Sequence, residues 1–251
     1  MPHNRWMLDD RHPIALRAAL AAAAMTALML LFAALGRWVV VPSSALAAVD
    51  EGVAARVPAL LAERLWLADL ASVWSDLSGP WVVHPLVLVV AVVLVRRHRV
   101  PPTALLTVPI GFLGWALGAW CKEIVQRPRP AQAVIEVDSW SYPSGHSSNI
   151  ALGAVLLIVL CSAIPTAWLR RTANGTILVV VSLTAADRIV LGVHYASDVT
   201  IGLALGAAMA LVAVHILDPL GRRPSGDITS SGDGPERSST PRRPPAPTPR
   251  A

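Results

Sequence analysis

The stretch 18-AALAAAAMTALMLLFAAL-35 carries no charge and a single polar side chain, Thr26. A helix that crosses a bilayer needs about 20 mostly apolar residues, so this run reads as a membrane span. Five further runs follow it: Leu77–Val95, Ala104–Cys121, Ser147–Leu169, Thr176–Val193 and Val199–Leu217. The fifth holds Asp187 and Arg188 near its end. The sequence therefore predicts an all-α, polytopic membrane protein, with a six-helix bundle over residues 18–217.

Composition agrees with that reading. Of 251 residues, 54% are hydrophobic and 15% charged, and the mean hydropathy is +0.55. A soluble domain carries about 25% charged residues, which sets this chain apart from a water-facing globule. The formal net charge is +5. Its basic residues flank apolar runs and form no continuous stripe, which points to a membrane and not to nucleic acid. Twenty of the 21 basic residues are arginine, and the only lysine is Lys122.

Loop charge predicts the orientation. Arg5, Arg11 and Arg17 precede the first run; Arg96, Arg97 and Arg99 follow the second; Arg170 and Arg171 follow the fourth; Arg222 and Arg223 follow the sixth. With six alternating spans all four groups fall on one side, the cytoplasmic one by the positive-inside rule. The loop 36–80 on the other side has three arginines against five carboxylates, a net of −2. Both termini are thus expected in the cytoplasm: residues 1–17 at one end, and a Pro-, Ser- and Arg-rich tail over 218–251 that should be disordered at the other. Trp38, Trp81 and Trp120 fall at outer span ends and Trp168 at an inner one, as an aromatic belt requires.

Inside the long outer loop, Trp66, Leu70, Val73, Trp74 and Leu77 recur at helical spacing opposite Glu63, Arg64, Asp69 and Asp76. They form an amphipathic helix, either lying in the outer interface or packed as a solvated helix on the bundle. Ala45-Leu46-Ala47 resembles a signal-peptidase site, but the preceding apolar run is too long and too distant for a signal peptide. Cys121 ends the third run and Cys161 lies two-thirds of the way through the fourth. The roughly 20 Å of depth between them forbids a disulfide.

The polar residues at outer helix ends fall in three groups. Lys122 follows the third run, with Arg129 and Pro130 shortly after. Pro143-Ser144-Gly145-His146 precedes the fourth. Arg188, His194 and Asp198 bridge the fifth and sixth. Singly, each has an ordinary explanation, such as a snorkelling arginine, a solvated histidine or a helix cap. Together they form one layer of three cations, two histidines and a carboxylate, and intramembrane charge at such a layer marks function.

A phosphate ester would use every member of this layer. Lys122, Arg129 and Arg188 can neutralise a phosphoryl group, the guanidinium forks bidentately. Ser144 and Gly145 sit where free N–H groups of a helix N-terminus attract an anion. His194 and Asp198 are four residues apart, on one face if the helix continues through both; the carboxylate could then hold one ring nitrogen protonated and leave the other free to attack. His146 is then available as the acid for the leaving oxygen. The layer lacks a carboxylate cluster able to hold magnesium, so no metal or cofactor is expected.

Lys122-x6-Arg129-Pro130, Pro143-Ser144-Gly145-His146 and Arg188-x5-His194-x3-Asp198 resemble the three-part signature of the type 2 phosphatidic acid phosphatase superfamily. The resemblance implies a metal-independent phosphatase acting on lipid phosphates or diphosphates through a phosphohistidine. It makes His194 the nucleophile, oriented by Asp198, and His146 the group that protonates the leaving oxygen and then activates water. Lys122, Arg129, Ser144, Gly145 and Arg188 would bind phosphate. Undecaprenyl diphosphate is the expected substrate, ahead of phosphatidic acid and phosphatidylglycerol phosphate. A lipid phosphotransferase would carry the same residues, whereas a transporter that merely kept a phosphate site would have no need of the His194–Asp198 pair. The soluble haloperoxidases of the same superfamily lack six spans. One position departs from the pattern, because Asp187 stands where the family usually has serine. It is expected to pair with a cation, Arg188 or another motif arginine, and to stay off the phosphate. Oligomeric state is not legible in these residues.

Overall fold

The structure, a computed structural model, describes residues 11–220. Residues 1–10 and the tail from residue 221, where disorder is expected, lie outside the described residues. Nine α-helices are present among the described residues: α1 (Arg11–Leu35), α2 (Ser44–Ala54), α3 (Val57–Ala62), α4 (Leu65–Leu77), α5 (Pro80–Arg96), α6 (Thr107–Val125), α7 (Gly145–Cys161), α8 (Ala167–Val190) and α9 (Ala196–Leu217). A π-helical turn, Gly36–Val40, extends α1, and a 3₁₀ turn, Pro102–Leu106, leads into α6.

Each of the six apolar runs maps largely onto a helix, but several boundaries move, two of them informatively. The fourth run was expected to reach Leu169, yet α7 ends at Cys161 and Leu169 belongs to α8. Pro165 is the cause: it cannot continue a helix and it pushes Ile164 away from helical geometry, a constraint invisible to hydropathy. Cys161 is accordingly the last residue of α7, not a mid-helix residue, and both cysteines are buried and free. The second run was expected to begin at Leu77, which instead ends α4; the chain turns by 46° at Ser78–Gly79 before Pro80 opens α5.

The chain is a membrane protein by its helices. Ile14–Val40, Pro102–Val125, Ala167–Val190 and Ala196–Leu217 are each long and apolar enough to cross a bilayer, and the bent pair α4–α5 makes a fifth candidate. Outward rows of large apolar side chains, among them Leu20, Leu30 and Leu31 of α1 and Leu178, Val179 and Leu183 of α8, are exposed. Thr26 does not interrupt its span, because its hydroxyl donates to the Ala22 carbonyl at 2.9 Å.

Helix α7 is the hub, packed against α5, α6, α8 and α9. It is only 17 residues long, and its burial on all sides matches an apolar surface without a polar stripe. Against α9 the contact is backbone on backbone: a Cβ at Gly206 would strike the Ser148 carbonyl. Small residues permit such close approach between membrane helices. This contact sets the N-termini of α7 and α9 side by side, and those termini carry two of the three motif groups.

Helix α4 leaves Trp66, Leu70, Val73 and Leu77 exposed and turns Ala71 inward. Trp74 departs from the expected apolar row: it faces α8, where its ring N–H donates to the Thr184 hydroxyl at 3.2 Å.

Candidate active site

The fold delivers the three motif groups to one end of the bundle. Lys122 lies in the last turn of α6, which stops at Val125 with Gln126 in the left-handed conformation. Ser144 caps α7, its hydroxyl accepting from the Ser147 N–H at 3.4 Å. Asp187 and Arg188 end α8. Gly192 then makes the turn with φ +64°, and a Cβ there would lie 2.7 Å from the Gln132 carbonyl, so the chain needs glycine to pass the 126–144 loop. That turn delivers His194.

His194 is 5% exposed and lies before α9, not on it. The expectation of one continuous helical face is thus corrected. Tyr195 is the N-cap, and Asp198 sits at N3, where its Oδ2 accepts from the Tyr195 N–H at 3.1 Å. The His194–Asp198 relation survives in another form. Nδ1 is 3.9 Å from Asp198 Oδ2, beyond a direct hydrogen bond, and the Ser141 hydroxyl sits between them, 3.5 Å from Nδ1 and donating to Oδ2 at 2.5 Å. On the other side of the ring, Nε2 is 3.2 Å from Arg129 Nη1. A guanidinium can only donate, so Nε2 holds the lone pair and Nδ1 the proton. Burial, with the neighbouring Lys122 and Arg129 charges working in the same direction, pushes the His194 pKa down to about 3, so the ring is neutral at physiological pH.

The three cations are all present, and protein groups hold them. Lys122 Nζ donates to the Trp140 carbonyl at 2.6 Å, and its side chain lies over Gly145, 3.5 Å from where a Cβ would be. Arg129 donates to the carbonyls of Ser139 at 2.7 Å and Val193 at 2.5 Å. Burial, outweighing the nearby Asp198, lowers the Arg129 pKa from its ordinary value, yet a guanidinium stays charged at any working pH. Arg188 departs from the expected bidentate phosphate fork: its Nε and Nη2 both donate to Asp187 Oδ2. Only Nη1 faces the site, 3.2 Å from His146 Nδ1. The expected pairing of Asp187 with Arg188 is therefore present.

His146 has both ring nitrogens engaged. Nε2 lies 3.2 Å from the Ser75 carbonyl of α4, which can only accept, and Nδ1 faces Arg188. The proton of a neutral His146 ring thus sits on Nε2. Ser75 is one of four partners that the sequence did not reveal, together with Ser141, Arg127 and Asp50. Arg127 Nη1 donates to Asp198 Oδ1 at 2.6 Å and Nη2 to Asp50 Oδ2 at 2.8 Å. Arg127 stands two residues before Arg129, close enough to the motif to have been considered; Asp50, in the acidic stretch 36–80, carries no spacing that would single it out.

Among the described residues, no group of three or more His, Cys, Asp or Glu side chains is placed to hold a metal ion. A buried His194 and a half-buried His146, both of assigned tautomer, lie beside three cations, an arrangement chemically suited to attack on phosphorus. Residues 103–222 match the profile of the PAP2 superfamily. The chain is 33% identical over 132 residues to decaprenylphosphoryl-5-phosphoribose phosphatase from Mycobacterium tuberculosis, across 51% of this chain and 67% of that enzyme. The chain belongs to the PAP2 superfamily.

Other PAP2 relatives agree. Phosphatidylglycerophosphatase B of Bacillus subtilis is 26% identical over 167 residues, covering 65% of this chain and 81% of that protein. The crystal structure of a transmembrane PAP2-type phosphatidylglycerolphosphate phosphatase from Bacillus subtilis superposes with a TM-score of 0.65 at 22% identity, over 80% of this chain and 98% of that one. The shared feature there is the fold. This PAP2 chain is a phosphatase, and both motif histidines and all three motif cations lie within its matched region.

Proposed function

We propose that this PAP2 phosphatase hydrolyses a phosphomonoester or diphosphate carried on a long-chain lipid, through a phosphohistidine on His194. The observation that carries the reading is the state of the His194 ring, with Nε2 unprotonated among the cations and Nδ1–H turned toward Ser141 and Asp198. In the first step His146 Nδ1 takes the proton of the substrate phosphate monoanion, Nε2 of His194 bonds to phosphorus, the bond from phosphorus to the lipid-side oxygen breaks, and His146 passes that Nδ1 proton to the oxygen. In the second, water attacks the phosphohistidine, gives its proton to His146 and releases phosphate. The Ser75 carbonyl holds His146 Nε2–H, which leaves Nδ1 as the nitrogen that exchanges the proton. Lys122, Arg129 and Arg188, with the N–H groups at Ser144 and Gly145, take the phosphoryl oxygens, which replace the loop carbonyls that occupy Lys122 and Arg129. No metal is used.

A lipid tail has a place to lie. An apolar cavity of about 330 Å³ opens between α4, α5, α7 and α8, lined by Trp74, Leu77, Val83, Ile150 and Val180 among others. Ile150 is one helical turn from His146, so a chain in this cavity places its headgroup at the charged layer. Undecaprenyl diphosphate is the first substrate to test, followed by phosphatidic acid and phosphatidylglycerol phosphate. Relatives named for decaprenylphosphoryl-5-phosphoribose and for phosphatidylglycerophosphate support a polyprenyl or glycerolipid carrier.

Six spans complete the reading, with α7 as the sixth: a buried hub helix need not match the lipid thickness by itself. Arg96 ends α5 with Arg97 and Arg99 just beyond it, and Arg170 and Arg171 lie near the start of α8, all at helix ends opposite the site. By the positive-inside rule those ends, and both chain termini, face the cytoplasm and the site faces outward. The exposed row on α4 then lies in the outer interface.

Purified full-length protein, given these lipids and a soluble sugar phosphate without any acceptor alcohol, should release phosphate from the lipids. Folded protein that prefers the sugar phosphate, or that needs an added acceptor, would overturn the assignment.

A further inference from the structure

Asp198 ends the motif stretch, but its contacts continue into a helix far away in sequence. Its Oδ1 takes Arg127 Nη1 at 2.6 Å, and its Oδ2 takes the Ser141 hydroxyl and the Tyr195 N–H. Arg127 reaches on to Asp50 of α2 at 2.8 Å and stacks 4.2 Å from the centre of the Tyr195 ring. Asp50 in turn accepts from the Ser197 N–H at 2.9 Å and the Ser197 hydroxyl at 2.5 Å, which docks α2 on the first turn of α9. Asp50, Arg127 and Asp198 are 2%, 7% and 0% exposed.

Two carboxylates and one guanidinium, all buried, leave a net charge of −1. We propose that Asp50 and Arg127 are positioning residues for hydrolysis. Arg127 fixes the Asp198 carboxylate, and Asp50 offsets the Arg127 charge so that Asp198 keeps its negative field at His194. This inference rests on the phosphohistidine reading above. A ring phosphorylated at Nε2 that retains Nδ1–H is cationic, and a carboxylate already neutralised by a lone arginine would support it poorly. Without Asp50, Arg127 and Asp198 would form such a neutral pair. Neither Asp50 nor these Arg127 donors is directed at the cations that hold phosphate, so the effect belongs to the chemical step and not to substrate binding.

The test uses the full chain in detergent micelles with dioleoyl phosphatidic acid as probe, rates being normalised to the folded fraction. Asp50→Asn should lower kcat by about tenfold or more while KM stays within roughly twofold. On an Asp198→Asn background it should add little further loss, because the two act through one group. Should Asp50→Asn not fold, Asp50→Ser removes the same charge with a smaller polar side chain and is judged on the same split. A folded variant with wild-type kcat, or with KM raised and kcat unchanged, overturns the inference. Asp198→Asn alone separates the two levels. If it keeps wild-type kcat, the phosphohistidine reading fails and this inference fails with it. If it is impaired while the Asp50 variants are not, this inference fails alone.

Discussion

Arg129 Nη1 stands 3.2 Å from His194 Nε2, so a cation that can only donate points at the ring nitrogen that holds the lone pair. The same guanidinium grips the Ser139 and Val193 carbonyls. Replacing it with lysine removes the fork but keeps the charge. Arg129→Lys should cost roughly 100-fold in kcat/KM on a lipid phosphate, the scale set by loss of a preorganised donor. His194→Ala should abolish turnover outright. A folded His194→Ala protein that still hydrolyses would end the phosphohistidine mechanism.

Acid stability offers a separate check. Folded His194 takes its proton only near pH 3, whereas an unfolded histidine does so near 6.5. The unfolded chain therefore binds the proton first, and the stability linked to His194 is complete above about pH 6.5 and lost as pH falls toward 3. Between these limits the loss approaches roughly 1.4 kcal/mol per pH unit. Thermal melts from pH 7.5 to 4.5 should show His194→Gln losing less stability than the parent. Parallel curves would contradict the buried, neutral ring.

Asp187 occupies the Nε and Nη2 edge of Arg188. Asp187→Ser should free that edge for phosphate and lower KM, with kcat intact or higher. Asp187→Ala should do the same less fully, since alanine restores no hydroxyl. Were both folded variants inactive, Asp187 would serve catalysis in a way no contact here explains.

Chelation should leave activity unchanged, because the charge on phosphate is met by Lys122, Arg129 and Arg188. Vanadate, which adopts the five-coordinate geometry of the transferring phosphorus, should inhibit. A strict magnesium requirement would contradict a site built from these three cations.

Sidedness can be read with one thiol. Cys121 and Cys161 are buried, and Asp138 is exposed on the loop beside Arg129. Asp138→Cys in a background lacking both cysteines should react with an impermeant reagent on intact cells. Labelling only after lysis would invert the topology.

Much of this site was legible because membrane helices are poor in polar residues, so Lys122, His146, Arg188 and Asp198 stood out against apolar neighbours. The helix termini followed from the same contrast, except where a proline decided them: Pro165 ends the fourth apolar run early while hydropathy continues through it. The His194–Asp198 geometry was misplaced because spacing of four implies a helical face only if the helix has begun, and here it begins at Ala196. Asp50 and the Ser75 carbonyl were out of reach for a different reason. The first is one acid among several in a polar loop, and the second is backbone, to which side-chain patterns are blind.

The absence of a side chain at Gly206 has a mechanical consequence. With α9 seated directly on the backbone of α7, neither helix can roll or slide without driving one main chain into the other. The pair acts as a single beam with a histidine at or near the head of each member. By contrast, α5, which meets α4 at the Gly79 bend, touches α7 through side chains such as Val83 over Gly153. The head of that beam is in turn tied to α4, whose Ser75 carbonyl meets His146 Nε2.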